Sequence, residues 1–287
     1  MKNFTYVNAP SKEAALDAIA AHADYMVIAG GTNVMLNILE RKVNDRTIVD
    51  IRSAAEMRGI QDNGDTITIG ALTTIKDLEE SKLIEKDAHC LWQAATCFAD
   101  PTTRNSATVG GNMGNASPGG DTLPSLLALD AVVTLEKKGG KREVAIADFF
   151  KGPGKTCMEA GEIITAITIK KSQHCCFIKI GLRNAMAISV ASVAVAVEKS
   201  ECGCSCKNVR VAMGSVAPTP VRCTAAEAAI EGAKEGDDLA AALKEALAKD
   251  IHPIDDFRAT GKYRSMVAPG IVERALKSAC GCDGGAK

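Results

Sequence analysis

Residues 108–121 read Thr-Val-Gly-Gly-Asn-Met-Gly-Asn-Ala-Ser-Pro-Gly-Gly-Asp, with five glycines in fourteen positions and short polar side chains between them. Such a segment makes poor helix and poor strand. It therefore reads as a loop whose backbone donors need partners outside a regular ladder. Two arrangements meet that need: a surface Ω-loop satisfied by water, or a cradle for a ligand rich in phosphate and hydroxyl oxygens. The apolar helical run at 123–129 follows directly and anchors the segment in the fold.

A second glycine segment, Ile28-Ala-Gly-Gly-Thr-Asn33, lies between an apolar strand at 25–29 and a helical run at 34–39. Glycine permits positive φ and lets a phosphate reach bare backbone N–H groups. The spacing is not Gly-x-Gly-x-x-Gly and lacks the Gly-Lys-Ser/Thr ending of a P-loop, so neither of those nucleotide folds applies. Alone, this segment serves equally well as a tight turn. Together, the two segments suit a long, two-ended ligand with a pyrophosphate at its centre, and a dinucleotide is the natural candidate. Spacing does not separate FAD from other nucleotides.

The rest of the chain sets the frame. Its 287 residues are long enough for two packed domains. Helices are expected at 11–22 with Ser11 as N-cap, and at 75–83, 89–98, 225–232, 238–248 and 265–279. Strands are expected at 47–51, 66–69, 163–169, 189–198 and 209–213, with a hairpin at 131–146. This mixture argues an α+β fold with a change of pattern near residue 175. A net charge of −1 gives no electrostatic case for nucleic acid or an anionic membrane. No apolar run approaches the roughly 20 residues that cross a bilayer, and the N-terminus lacks the apolar core of a signal peptide. A cytoplasmic location is expected. Eleven cysteines then indicate a reducing compartment.

The two glycine segments with Asp121 resemble those of the FAD-binding, or medium, subunits of the molybdenum hydroxylases, the group of xanthine, nicotinate and carbon monoxide dehydrogenases. The resemblance continues through Val49-Asp-Ile51, Ile69-Gly-Ala-Leu72, Arg104-Asn105, residues 179–189, 211–222 and 256–264, and so covers nearly the whole chain. It implies an FAD-binding domain of the vanillyl-alcohol-oxidase (PCMH) type over residues 1–175. A smaller sheet-plus-helices domain, like that of the carbon monoxide dehydrogenase flavoprotein, would occupy 176–287. It places Val27, Ile28, Ala29, Gly30, Gly31, Thr32, Asn33 and Val34, with Thr108, Val109, Gly110, Gly111 and Asn112, around the pyrophosphate and ribityl chain. Asp121 would accept hydrogen bonds from cofactor hydroxyls. Phe98, Ile164 and Lys179 would touch FAD, and Ile188 would lie beside the isoalloxazine ring. An apolar residue at 188, where some carbon monoxide dehydrogenases have tyrosine, tilts the reading toward the xanthine and nicotinate enzymes.

The family chemistry implies partners: a large molybdopterin subunit that hydroxylates the substrate and a small subunit with two [2Fe–2S] clusters, in a dimer of heterotrimers. Electrons would pass from the clusters through FAD to NAD⁺ or another acceptor, so no general acid or base is expected here. Alternatives are a flavin-free scaffold of the same fold and a stand-alone flavin oxidase, for which no acid–base pair is seen. Cys202, Cys204 and Cys206, with Cys280 and Cys282, could bind a metal. Their Cys-x-Cys spacing is not the usual Cys-x₂-Cys of zinc, and exposed turn thiols are expected instead. Cys175 and Cys176 read as structural. The four histidines read as surface or capping groups, and Trp92 as core.

Overall fold

The computed structural model describes residues 4–40, 42, 46–199, 206–233 and 237–281. It opens with a parallel α/β unit: β1 (Thr5–Asn8), α1 (Lys12–Ala21), β2 (Tyr25–Ile28), α2 (Val34–Leu39) and β3 (Thr47–Asp50), in sheet order β1-β3-β2. Ser11 caps α1 by accepting a hydrogen bond from Ala14 N at 3.1 Å. The buried face of that helix is Ala15 and Ile19.

A five-stranded antiparallel sheet follows, in order β4-β5-β10-β6-β7. Its first strands are β4 (Ile60–Asp62) and β5 (Thr66–Gly70). Six helices come next: α3 (Ile75–Glu80), α4 (Lys82–Asp87), α5 (His89–Thr96), α6 (Pro101–Ser106), α7 (Val109–Asn115) and α8 (Thr122–Ala128). Then come β6 (Val132–Lys137), β7 (Gly140–Ala145), α9 (Ile146–Phe149), the small ribbon β8 (Phe150–Gly152) and β9 (Lys155–Thr156), and β10 (Ile163–Lys170). All seven residues of α8 are buried. A bulge in β10 between Ile164 and Ala166 breaks its register with β6. Such a bulge re-aims side chains, and here both Ile163 and Ile164 reach the cavity described below.

The last part is a four-stranded antiparallel sheet, β11 (Cys175–Gly181), β12 (Ser189–Lys199), β13 (Cys206–Gly214) and β14 (Val221–Arg222), with α10 (Thr224–Ile230), α11 (Ala240–Asp250) and α12 (Gly261–Ala279). This sheet is covered on both faces. Ala194, Ala196 and Ala212 belong to the core shared with α5 and α8. Val193, Val195, Val197, Val211 and Met213 belong to the core under α10 and α12. Period-two alternation sorts the two sets: small side chains face the first helices, larger ones the last. Asp130, at φ +48, ties the two halves by accepting from Lys170, Arg210 and Arg222 at 3.2, 3.4 and 2.8 Å.

Three sequence expectations are corrected. Residues 109–115 form helix α7 despite their glycines, because Thr108 caps it and Gly110 and Gly111 permit close packing that a propensity argument does not see. The helix expected at 75–83 breaks at Ser81, whose hydroxyl accepts from Ile84 N and starts α4. Cys206 is a buried residue opening β13 rather than an exposed turn thiol. Cys202, Cys204 and Cys282 lie outside the described residues.

Candidate functional site

The segment after β2 turns sharply, with Gly31 at φ +74, and the amide of Met35 donates to the carbonyl of Gly31 at 3.0 Å as α2 begins. Gly30 faces the end of α6. A Cβ there would lie 1.9 Å from Ser106 O, so only glycine allows the approach. On the other side, the amides of Val109 and Gly110 donate to Thr73 O and Ala71 O at 3.0 and 2.9 Å. A Cβ on Gly110 would meet Ala71 at 2.7 Å. The Thr108 hydroxyl accepts from Gly111 N at 3.0 Å. Gly30 thus packs against the backbone just ahead of the second segment, and Gly110 against Ala71, at contacts that a side chain would wedge apart.

Between them lies a cavity of about 590 Å³, within the usual range of roughly 300–1,000 Å³ for cofactor sites. Val27, Ala29, Ile51 and Leu72 form one wall, Phe98 and Ala99 one end, and Ile163 and Ile164 of β10 another side. The ionisable side chain among the described lining residues is Glu162. Arg142 grips both of its oxygens, at 2.6 and 2.8 Å. That hydrogen bonding holds the carboxyl below its ordinary range, so it is a tethered anion and a poor proton shuttle.

Thirteen of the positions singled out from the sequence line this cavity: Val27, Ala29 to Val34, Phe98, Thr108, Gly110 to Asn112, and Ile164. Ile28 and Val109 instead turn into the core. Ile28 does so because alternate residues of β2 point to opposite faces. Ile188 is 57 % exposed and outside the lining. Asp121 and Lys179 are also outside it, but they pair with each other. Lys179 Nζ lies 2.7 Å from Asp121 Oδ2 and donates to Cys97 O at 3.1 Å. Arg104 donates to Phe98 O at 2.9 Å. Two cations therefore hold the consecutive carbonyls of Cys97 and Phe98.

Asp121 is 7 % exposed and its Oδ1 has no hydrogen-bond partner. Burial pushes its carboxyl up to about 6, against the pull of Lys179. An unmet buried acceptor is costly, and a hydroxyl donor from a ligand would satisfy it. The glycine-walled cavity and this acceptor fit a dinucleotide with phosphates and ribityl hydroxyls.

Leu36 and Asn37 of α2, Thr103, Met158 and Ile163 also line the cavity and were not singled out from sequence, and Ile51, Ala71 and Leu72, noted there only as part of the resemblance, line it too. A signal existed for α2. It is a mainly apolar helix with no buried residue, and Leu36 remains 54 % exposed. An apolar helix without a core behind it marks the mouth of a site or a partner surface.

Comparison with known proteins agrees with this geometry. The family described as the FAD binding domain in molybdopterin dehydrogenase matches residues 2–171. The CO dehydrogenase flavoprotein C-terminal domain matches residues 177–279. The xanthine dehydrogenase FAD-binding subunit of Escherichia coli O157:H7 is 30% identical over 286 residues, covering 98% of this chain and 97% of that one. The nicotinate dehydrogenase FAD-subunit of Eubacterium barkeri is 33% identical over 198 residues, 66% of this chain and 67% of its own. A chain of carbon monoxide dehydrogenase from Hydrogenophaga pseudoflava superposes with a TM-score of 0.90 at 30% identity, covering 96% of this chain and 97% of that chain. Interlocked glycine segments, an α+β frame and full-length similarity lead to one assignment: the chain belongs to the FAD-binding subunits of the molybdenum hydroxylases, a family of oxidoreductases.

Proposed function

We propose that this chain holds FAD in the cavity between its two glycine segments and serves as the electron-transfer subunit of a cytoplasmic xanthine or purine dehydrogenase. The observation that carries the reading is the cavity itself, walled on opposite sides by segments in which Gly30 and Gly110 cannot be replaced without a clash. Backbone amides of residues 29–34, with the Thr108 hydroxyl and the Asn112 side-chain amide on the 108–112 side of the cavity, would take the pyrophosphate and ribityl chain. Asp121 Oδ1 would accept from a cofactor hydroxyl. Lys179 would hold that carboxylate ionised, and Phe98, Ile164 and Ile188 would bound the flavin end. FAD, when bound, supplies the chemistry that joins single-electron donors to a two-electron acceptor, and the protein's part is to position it and tune its surroundings.

The absence of an untethered acid or base among the described lining residues supports a relay role rather than substrate chemistry on this chain. The electrons would come from [2Fe–2S] clusters on a small partner subunit, after hydroxylation at a molybdopterin-bearing large subunit, in a dimer of heterotrimers. NAD⁺ is the proposed acceptor. We place the division between the flavin domain and the C-terminal domain near residue 175, at the start of β11. The Escherichia coli xanthine dehydrogenase relative and the apolar Ile188 support xanthine over carbon monoxide.

Purified, deflavinated chain titrated with FAD tests the central point: recovery of flavin absorbance is expected, and a chain that refuses FAD overturns it. Turnover of the whole complex with xanthine, nicotinate and carbon monoxide tests the substrate, with xanthine expected to be oxidised. Rapid-mixing oxidation of the reduced complex by NAD⁺ tests the acceptor.

A further inference from the structure

Two of the proposed FAD contacts, Ile188 and Asp121, lie outside the cavity lining, and both sit on segments held by one cluster of the C-terminal domain. Ile188 is 57 % exposed, so no core packing fixes where its side chain stands. Its backbone must do so, and that backbone is fixed one residue on. The carbonyl of Ser189, which opens β12, accepts from Arg258 Nη1 at 3.3 Å and from the Ser215 hydroxyl at 3.1 Å. Asp121 is delivered by the turn at 117–120, between α7 and α8. Inside that turn Gly120 N donates to Ser117 O at 3.0 Å, and Pro118 O accepts from Ser215 N at 2.9 Å.

The two segments meet at Gly119. A Cβ there would lie 3.3 Å from Arg258 Nη1, 3.3 Å from Ser215 Oγ and 3.8 Å from Ile188 Cγ2. Three side chains thus converge on the space that one missing methyl group leaves, and the guanidinium is the charged one.

That guanidinium is aimed before any ligand arrives. Asp256 Oδ2 accepts from Arg258 Nε and Nη2 at 3.0 and 2.6 Å, and Asp256 Oδ1 accepts from Arg258 N at 2.8 Å. The buried Arg264 lies 2.7 Å from the same Oδ1 and donates to Ser215 O at 2.6 Å. The hydrogen bonds from Arg258, and then that from Arg264, hold the Asp256 carboxyl well below the usual carboxylate range. The cluster therefore keeps two cations to one anion at neutral pH. With Nε and Nη2 turned to Asp256, Nη1 is the arm left for Ser189 and Gly119. A planar fork can grip a carboxylate on one edge and present a donor on the other, which a lysine cannot.

We propose that Arg258 is a positioning residue for the flavin end of the site, a role that rests on FAD filling the cavity as proposed above. Through Ser189 O it sets the backbone that carries Ile188, and against Gly119 it sets the turn that delivers Asp121. The C-terminal domain thereby shares in orienting the isoalloxazine end of the dinucleotide. Segments held in place beforehand need less ordering when the ligand binds. Arg258 itself acts at one remove, through Ile188 and Asp121.

The test uses the full chain with FAD and reads the flavin spectrum rather than turnover. The isoalloxazine ring is planar, so its visible circular dichroism comes from asymmetric surroundings. The Arg258 side chain is 21 % exposed, and Arg258→Gln and Arg258→Ala should both fold. Each should still bind FAD, with altered visible dichroism and a Kd raised about tenfold. Millimolar guanidinium should restore the wild-type bands in Arg258→Ala. Gly119→Ala keeps the arginine but crowds Nη1 and the Ser215 hydroxyl, and should alter the same bands. Wild-type bands and Kd in Arg258→Gln overturn the proposal and leave FAD binding standing. Altered bands that guanidinium does not restore, with a lowered melting temperature, make Arg258 a structural brace and overturn it too. A wild-type chain that refuses FAD overturns the cavity reading and this role together. Where the arginine variants fail to fold, Gly119→Ala decides, and unchanged bands and affinity there overturn the proposal.

Discussion

Replacing Gly30 by alanine probes the interlock of the two glycine segments directly. The added Cβ would lie 1.9 Å from Ser106 O, 2.7 Å from Ser106 C and 3.0 Å from Ala107 Cα. Ordinary contact begins near 3.5 Å, so the segments must part by about 1.5 Å. Every atom met is backbone, so no side chain can swing away. Gly30 does not have a positive φ, and alanine brings no dihedral strain of its own. The whole effect is therefore steric. Overpacking of this kind costs typically 1–3 kcal/mol, and a backbone-on-backbone clash belongs at the upper end. If the deflavinated chain relaxes by opening the cavity, the loss appears in cofactor affinity, and 3 kcal/mol raises the FAD Kd about 100-fold. If the chain resists, the loss appears in stability, as a drop in Tm of roughly 6–12 °C. FAD titration by flavin fluorescence and scanning calorimetry read the two together. Gly270→Ala is the control. It lies in α12 with nothing within 4 Å of its would-be Cβ, so it should gain about 0.5–1 kcal/mol of helix stability. A Gly30→Ala chain that binds FAD within twofold of wild type and melts unchanged would refute the interlock.

Lys179→Met should destabilise the chain by about 3–5 kcal/mol, since it strands a buried carboxylate, and adding Asp121→Asn should recover most of that in a double-mutant cycle. Asp121 has a raised folded pKa, about 6 against 3.8. Its contribution to stability of the cofactor-free chain is therefore present in full below pH 4 and lost as pH rises through 6, about 3 kcal/mol in all. FAD binding should show the opposite trend, weakening below pH 6 as the acceptor is protonated, which titrations at pH 5 and 7.5 would detect. Thr108→Val removes the cap of α7 and should cost about 1 kcal/mol in denaturant melts. Arg264 is 2 % exposed and donates to Ser215 O at 2.6 Å beside Asp256 at 2.7 Å. Arg264→Leu should cost about 2–3 kcal/mol, with equal stability counting against a structural role.

Elements with strong local signals were legible in the sequence. Ser11 announced α1, and the strand-glycine-helix run at 25–39 announced the first wall of the cavity. Helix α6 carried a signal that went unread, since Asp100 caps it and Pro101 stands at its first position. Helix α7 offered only Thr108 as a candidate N-cap. Its glycines argue against helix, and the contacts that require them come from Ala71 and Thr108. Resemblance could name Asp121 and Lys179, but their pairing across 58 residues, and the unmet Oδ1, are tertiary facts. The burial of Cys206 beside Cys280 at the end of α12 is another, because the two cysteines lie 74 residues apart.

The two-faced C-terminal sheet has a consequence for how such chains can be rebuilt. Its alanines, Ala194, Ala196 and Ala212, let α5 and α8 settle close to the strands. A chain cut before β11 would leave the buried α8, with Leu123, Leu126 and Leu127, without that sheet beside it, and the excised half would expose the alanines together with Cys175 and Phe177 of β11. The point where the sequence pattern changes is therefore a poor place to divide or graft the molecule. A hybrid that takes its C-terminal half from a relative would have to inherit the same run of small side chains, or the donor sheet would stand off from α8 and open a void behind the flavin site.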